Sequence, residues 1–137
     1  MIVRVDVVPV VLESRRVVVA EVIGGYQGQA QLGRWWLPSD VLRDGEQPGE
    51  AAARILRDQL GLALEDAVVV GTRQAKVGAG WQLALAVAGA ASGDAPAPSA
   101  PVSGFAARTL AELPDQVGFW HRDDVGILVA RYERLRA

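Results

Sequence analysis

The chain has no cysteine, and among its 137 residues there is one histidine, His121. The missing cysteines exclude a disulfide framework, a thiolate nucleophile and a cysteine-ligated zinc site. A single histidine cannot by itself build a multi-histidine metal site. Lysine is almost absent too, with Lys76 alone, and the formal net charge is only -2. This charge balance argues against a broad surface for binding nucleic acid polymers.

Long hydrophobic segments are also missing. Arg4 and Asp6 interrupt the first apolar stretch, which therefore lacks the composition of a secretory leader. The apolar run 83–91 is far too short to cross a membrane. We therefore expect a cytoplasmic protein with no membrane partner. Half of the residues are hydrophobic, and this is enough for the core of one domain that spans residues 1–137.

The apolar pattern along the chain predicts both strands and helices. Pro48 suits the first turn of a helix and Gly61 suits its end, and apolar residues at helical spacing lie between them. Valine-rich segments are typical of strands. The predicted strands are 2–12, 15–23, 31–37, 67–76, 81–88 and 105–109, and the predicted helices are 48–60 and 122–135. This order implies an α/β fold in which helices cover the faces of a mixed sheet.

Residues 89–101 form a low-complexity segment that is rich in alanine, proline, serine and glycine. Such a segment has almost no large apolar side chains whose burial could offset the entropy of ordering it. We expect a flexible Ala/Pro-rich loop at about 89–101 inside the single domain, because too little chain follows to build a second core.

The most informative segment is 35–62, which begins with WWLPSD, continues through one glutamate to an arginine-containing helix, and ends with LGL. It resembles the signature of the Nudix hydrolase family, G-x5-E-x7-R-E-U-x-E-E-x-G-U, in which U is a bulky aliphatic residue. The matching residues are Glu46, Arg54, Leu56, Gly61 and Leu62, with Trp35, Leu37 and Pro38 in the lead-in. The resemblance implies the Nudix fold, an α/β/α sandwich with a mixed β-sheet. It also implies that Glu46 and Arg54 hydrogen-bond to each other and hold the loop against the helix.

The departures from this signature concern the residues that carry the chemistry. In the family, three helix glutamates gather magnesium or manganese and polarise a water molecule for attack on a diphosphate. Here the first is Ile55, and the adjacent pair is Asp58 and Gln59. Positions 55 and 59 lie one helical turn apart on one face, and a hard divalent cation needs oxygen ligands there. Isoleucine supplies none, glutamine offers a neutral carbonyl, and Asp58 alone remains charged.

The candidate catalytic residues are therefore Glu46, Arg54 and Asp58, of which Glu46 and Arg54 are also expected to serve as scaffold. The candidate metal ligands are Asp58 and Gln59. If the site is active, its cofactor is Mg or Mn; otherwise no cofactor is expected. Arg54 has a second interpretation, as the middle of a Glu50–Arg54–Asp58 ion-pair ladder on a solvated helix face.

Two residues before the helix are candidate contacts for a substrate. Asp40 stands where the signature opens with glycine. It could return a carboxylate to the ligand site from the loop, or it could simply adopt the turn conformation better than most residues. Trp36 is the candidate for stacking on a ligand, since it would alternate to the opposite face of its strand from Trp35.

Many family members complete the metal site with an acidic residue from a late loop. Asp94, Glu112 and Asp115 are the candidates here, and nothing in the sequence chooses among them. His121 allows two interpretations, a general base or a surface residue at the start of a helix.

Three functions fit these residues. The first is a Nudix-like protein with a degenerate metal site, which binds a nucleotide-type or other small phosphorylated ligand with impaired or absent hydrolysis. The second is an active, metal-dependent pyrophosphohydrolase of nucleoside diphosphate derivatives. The third is a non-catalytic dimerisation or regulatory module, and a homodimer is consistent with all three. Because family specificity comes from loops outside the signature, the sequence does not name the substrate.

Overall fold

The computed structural model describes residues 2–93 and 100–137. These residues form a mixed β-sheet with a helix on each face. The strands are β1 (Ile2–Val11), β2 (Arg16–Glu21), β3 (Trp35–Trp36), β4 (Ser39–Val41), β5 (Ala63–Val77), β6 (Gly80–Ser92), β7 (Gly104–Arg108), β8 (Gln116–Val117) and β9 (Trp120–His121), and the helices are α1 (Pro48–Leu60) and α2 (Arg122–Arg136). The α/β prediction is confirmed.

The first strand, β1, lies in the middle of the sheet, whose order is β3-β2-β1-β6-β5. It runs parallel to β6, with Ile2 opposite Gln82. The other pairs are antiparallel, and they include β4 on β1 and β7 on β2. β8 and β9 form a separate two-stranded sheet. The pairing of β4 fastens the segment before α1 to the centre of the main sheet.

The two helices cover the sheet from opposite sides. Val7 of β1 packs in an apolar cluster with Ile55 of α1, whereas the next residue, Val8, packs in another cluster with Val125 of α2. Since successive side chains of a strand point to opposite faces, this places α1 and α2 on the two faces. A strand that is covered on both sides has a nearly continuous apolar sequence, which is why β1 is so rich in valine.

Helix α1 has the residues that the sequence predicts, 48–60. Its start is held by Glu50, whose carboxylate accepts the backbone N–H of Gln47 over 3.1 Å, and Pro48 fits the first turn because its missing N–H is not needed there. Gly61 ends the helix in the left-handed conformation, with φ at 70°, which glycine adopts without steric cost. Both ends of the helix are therefore encoded locally.

Helix α2 closes the opposite face of the sheet. It buries Val125, Leu128, Val129 and Tyr132, as the helical spacing predicts. Leu135 was also predicted to face inward, but it lies in the last turn and is 63% exposed. Within the described residues, neither α1 nor α2 is long and apolar enough to cross a membrane.

Several predicted boundaries were wrong, and strand β5 begins four residues earlier than predicted, at Ala63. Strand β6 runs to Ser92, and Ala90 within it is paired with both β1 and β5, so the first residues of the loop predicted at 89–101 belong to a strand. Backbone hydrogen bonds hold them, and small side chains do not prevent this. Residues 94–99 of that loop lie outside the described residues. The predicted strand 31–37 is reduced to β3, because short 3-10 turns precede it.

Candidate functional site

Arg54 ties α1 to the loop that precedes it. Its Nε donates to Glu46 Oε2 over 2.8 Å, and a terminal nitrogen donates to Glu46 Oε1 over 3.0 Å. This two-pronged, charge-assisted contact lowers the pKa of Glu46 from 4.5 to about 2 and raises the pKa of Arg54. The predicted hydrogen bond between these two residues is present.

The same guanidinium also reaches Asp40. It donates to Asp40 Oδ2 over 3.2 Å and to the backbone carbonyl of Val41 over 3.1 Å. Asp40 is therefore an ion-pair partner of Arg54, a role that neither sequence interpretation included. The predicted ladder along the helix is wrong, because Glu50 caps the start of the helix and Asp58 contacts the arginine next to it.

Ile55 faces the core of the protein. Its side chain is 1% exposed, and it packs in an apolar cluster with Val5, Val7 and Val87. A carboxylate in this position would be removed from water without a partner, and that is among the most costly changes a core can undergo. Position 55, where the signature has a glutamate, therefore contributes to folding.

Gln59, one turn later, has both polar atoms of its amide engaged. Its Nε2 donates to the backbone carbonyl of Ser39 over 2.8 Å, and its Oε1 accepts the hydroxyl of Tyr26 over 2.9 Å. Burial raises the pKa of Tyr26, so this hydroxyl stays protonated and can act as the donor. The side chain of Gln59 thus joins α1 to β4 and to the loop after β2.

These positions do not fit a divalent metal ion. Ile55 has no ligand atom, the carbonyl of Gln59 accepts a hydrogen bond from the Tyr26 hydroxyl, and the half-exposed Asp58 is paired with Arg57 over 3.3 Å. In the part of the chain that the structure describes, no three histidine, aspartate or glutamate side chains are grouped so that they could hold a metal ion. Of the three helix positions, Asp58 alone therefore offers a carboxylate, which is fewer oxygen ligands than the family signature supplies to magnesium or manganese.

A buried polar network that sequence reasoning missed lies next to Gln59. Asp6 is 2% exposed, and its carboxylate accepts hydrogen bonds from Arg4 Nε at 3.1 Å, the Ser39 hydroxyl at 2.6 Å and Trp120 Nε1 at 2.7 Å. Arg4 is 3% exposed. Charges that alternate with valines also describe a strand with one face in solvent. The sequence did contain one indication that Arg4 and Asp6 are buried. The apolar run 7–12 that follows them is unbroken, which is typical of a strand covered on both faces.

Trp36 belongs to the core, and its predicted role in stacking on a ligand is wrong. It is 1% exposed, and its ring meets those of Tyr26 and Phe119 edge to face, with centroids 5.2 Å and 5.3 Å away. Its Nε1 donates to the carbonyl of Gly33. Gly118, with φ at 61°, lies so close that a Cβ atom there would be 2.5 Å from the Trp36 ring. The position of Trp36 thus depends on two distant segments.

A small cavity of about 70 Å³ opens beside the polar network. It is lined by Arg4, Tyr26, Gln27, Ser39, Asp40 and Val41. Asp40 therefore connects the Arg54 ion pair to this cavity. A larger cavity of about 630 Å³, at the opposite end of β1, is lined mainly by apolar side chains.

Three of the other candidate residues, Glu112, Asp115 and His121, have structural partners. Glu112 accepts hydrogen bonds at the start of a short 3-10 turn, and Asp115, which is 82% exposed, pairs with an arginine of α2. Asp94 lies outside the described residues. His121 accepts the backbone N–H of Asp123 over 3.1 Å, so it caps α2 at the surface, as the second interpretation of this residue predicts.

Comparison with solved structures identifies the architecture. The chain is similar to a MutT Nudix hydrolase from Burkholderia pseudomallei, with 18% identity, coverage of 94% of this chain and 95% of that chain, and a TM-score of 0.72. It is also similar to the Nudix domain of Shewanella oneidensis NrtR complexed with ADP ribose, with 20% identity, coverage of 97% and 87%, and a TM-score of 0.72. The chain has the Nudix fold.

A third Nudix-fold comparison is an ADP-ribose pyrophosphatase from Streptococcus suis, with 12% identity, coverage of 99% of this chain and 92% of that chain, and a TM-score of 0.73. No family model and no curated protein matches the chain. At these identities the similarity lies in the backbone. In this Nudix fold the Glu46–Arg54 pair and both ends of α1 are in place. Ile55 and Gln59 are buried, and they hold α1 against the rest of the protein.

Proposed function

We propose that this protein uses the Nudix fold to bind a nucleoside diphosphate derivative and hydrolyses it poorly or not at all. Ile55 and Gln59 carry the proposal. They stand where the family signature has glutamates, and both are committed to the fold, Ile55 in an apolar cluster and Gln59 in hydrogen bonds to Tyr26 and Ser39. Metal ions that activate water and neutralise a leaving group need ligands at these places.

The ligand class is supported by the similar structures and by the charge of the chain. One similar structure is a Nudix domain complexed with ADP ribose, and another bears the name of an ADP-ribose pyrophosphatase. ADP-ribose is therefore the first compound to test, together with simple nucleoside diphosphates. A net charge of -2 gives no general attraction for nucleic acid polymers, so the proposed partner is a small molecule. We also propose that the protein acts in the cytoplasm.

The experiment compares binding with turnover on the same protein sample. Thermal melting is measured with magnesium or manganese alone, with ADP-ribose or a nucleoside diphosphate alone, and with both. A ligand of the folded state at 100 times its Kd stabilises it by roughly 2.7 kcal/mol. We expect a shift with nucleotide and none with metal alone. Phosphate and nucleoside monophosphate release are followed in parallel.

Two results would overturn the proposal in different ways. Turnover of about 1 per second or faster with magnesium would identify an ordinary enzyme rate and an active pyrophosphohydrolase. No shift with any nucleotide would favour a dimerisation or regulatory module, and light scattering would then show whether the chain is a homodimer.

A further inference from the structure

The small cavity beside the polar network is lined by side chains that have hydrogen-bond donors or acceptors without a partner within residues 2–93 and 100–137. Arg4 contacts Asp6 through Nε only, and among the described residues its two terminal nitrogens have no hydrogen-bond partner. The residue is nevertheless 3% exposed and lines the cavity. The rings of Tyr26, Trp36 and Phe119 lie with their centroids 5.0–5.9 Å from its Cζ and stabilise the charge. An acceptor in the cavity would in addition receive the terminal N–H groups, so the cavity suits a molecule that brings one.

Gln27 adds a second donor at the mouth of the cavity. Its Oε1 accepts the Nε2–H of Gln82 over 3.0 Å. Gln82 is 4% exposed, and its own Oε1 is buried without a hydrogen-bond partner among the described residues. This contact uses the acceptor of Gln27 and leaves its amide N–H groups to donate. Arg4 and Gln27 thus present donors to the same small space.

Asp40 adds an acceptor to that space. Its Oδ1 accepts the backbone N–H of Val41, and its Oδ2 accepts Arg54. A carboxylate has about four acceptor positions, so capacity remains for another N–H. The cavity therefore offers donors and an acceptor side by side.

The charges of the lining favour a neutral group. The charge of Arg4 is offset by Asp6 at 3.1 Å and that of Asp40 by Arg54 at 3.2 Å, and an anion in the cavity would still meet the carboxylate of Asp40. A cation would meet Arg4. A neutral group with a carbonyl oxygen beside an N–H matches both sets of lining groups, because the oxygen accepts from Arg4 and Gln27 while the N–H donates to Asp40.

We propose that this cavity binds the lactam edge of an oxo-nucleobase, a ring carbonyl beside a ring N–H, as found in guanine and uracil. The inference rests on the proposed function, and it names the base of the nucleotide. Adenine has an amino group beside an unprotonated ring nitrogen, which is the reverse pattern. A volume of about 70 Å³ admits one edge of a ring, since one water occupies roughly 30 Å³ in the liquid, and the exposed Gln27 and Val41 leave room for the rest at the mouth.

The test measures Kd by calorimetry for GDP, UDP, ADP and CDP, without metal. We expect GDP and UDP to bind at least about tenfold more tightly than ADP and CDP, because the amino group of adenine or cytosine would face the N–H groups of Arg4 and leave this buried residue without an acceptor. Arg4 is left unchanged in the test, since its loss would strand the buried carboxylate of Asp6.

Two variants of the lining are paired with matched controls. Asp40→Ala removes the acceptor, and its control is Asp44→Ala at an exposed residue outside the cavity. Val41→Phe narrows the mouth from a strand residue that is 37% exposed, and its control is Val69→Phe at 41% exposure in β5. We expect the preference for GDP and UDP to fall at least about fivefold in Asp40→Ala and Val41→Phe and to persist in the controls. Melting curves verify that each variant is folded.

The outcomes separate the two proposals. If ADP binds as tightly as GDP and UDP, or if Asp40→Ala keeps the full preference, the lactam site is overturned and nucleotide binding stands. If none of the four nucleotides binds and ADP-ribose gives no melting shift either, both the site and the proposed function fail.

Discussion

The hydroxyl of Tyr26 donates to Oε1 of Gln59 over 2.9 Å, and this bond fastens the loop after β2 to helix α1. The nitrogen of the same amide holds the backbone carbonyl of Ser39 in β4. One side chain therefore joins a loop, a strand and a helix. A carboxylate could accept from Tyr26 but could not donate to Ser39, so Gln59 and the glutamate of the family signature are not interchangeable here.

We expect Gln59→Glu to destabilise the fold by roughly 1–3 kcal/mol at neutral pH, because the new carboxylate would face the carbonyl of Ser39. Burial and that carbonyl would raise the pKa of the new group. The folded state would then hold a proton more tightly than the unfolded state, so the lost stability should return as the pH falls through the raised pKa. Denaturant unfolding at neutral and mildly acidic pH measures both effects. Full stability at neutral pH would contradict the predicted role of the amide.

Arg54→Ala should destabilise the protein by roughly 1.5–3 kcal/mol, since it removes charge-assisted hydrogen bonds and leaves the largely buried Glu46 with the backbone N–H of Arg43 as its remaining donor among the described residues. The matched control is Arg57→Ala on the same helix, whose side chain is 67% exposed and whose loss should change stability by less than about 0.5 kcal/mol. Chemical denaturation of both variants gives the comparison. Equal effects would show that Arg54 does not hold the loop.

The low pKa of Glu46 predicts a pH dependence of stability. Because the folded pKa of about 2 lies below 4.5, the unfolded state takes up a proton first as the pH falls. The stability that this group contributes is complete above its unfolded pKa and is lost as the pH falls from about 4.5 towards 2. Glu46→Gln removes this titration while the other carboxylates remain. The difference in unfolding free energy between wild type and variant should therefore shrink over this range, and a constant difference would refute the assignment.

Ile55→Glu should cost more than about 4 kcal/mol, because it places an unpaired carboxylate in an apolar cluster. Magnesium should not restore the lost stability. The control is Ile127→Glu at a residue of α2 that is 50% exposed, where the change should stay within about 0.5 kcal/mol. A folded Ile55→Glu variant whose melting temperature rises with magnesium would mean that position 55 can face a metal site.

The low-complexity segment gives a prediction about shortening. Replacing residues 94–99 with a short glycine-serine linker should leave the melting temperature nearly unchanged, because this stretch has no large apolar side chain to bury. Removing 89–92 instead should destabilise the protein strongly, since these residues pair with β1 and β5. Melting curves of the two variants test this prediction. A protein that fails to fold without 94–99 would assign that segment a packing role.

Local patterns were enough to predict much of the scaffold. The limits of α1 follow from Pro48 and Gly61, and the contact between Glu46 and Arg54 was implied by the resemblance of residues 35–62 to the Nudix signature. Such features depend on neighbours within a few turns. The Nudix fold could be expected because the resemblance to the signature covers the loop and helix 35–62, which are characteristic of that fold.

The site could be predicted only in part, since its partners come from distant segments. The loop that carries Tyr26 reaches Gln59, and Trp120, near the end of the chain, reaches Asp6 at its start. The inward position of Trp36 depends on Phe119 and Gly118. The pattern of apolar residues within one segment cannot predict contacts of this kind, because it contains no information about the distant partner. The contact of Asp40 with Arg54, 14 residues later in the chain, could not be predicted either, because the family signature has a glycine at this position.

The central position of β1 has a consequence for how the chain reaches its native state. Its parallel neighbour is β6, and Ile2 lies opposite Gln82, so the middle of the sheet cannot close until most of the chain has left the ribosome. Contacts between such distant segments are slow to form, because the intervening chain loses conformational entropy before the contacts that compensate for this loss are made. Until then one edge of β1 has no partner strand, and this valine-rich edge can pair with other chains and promote aggregation.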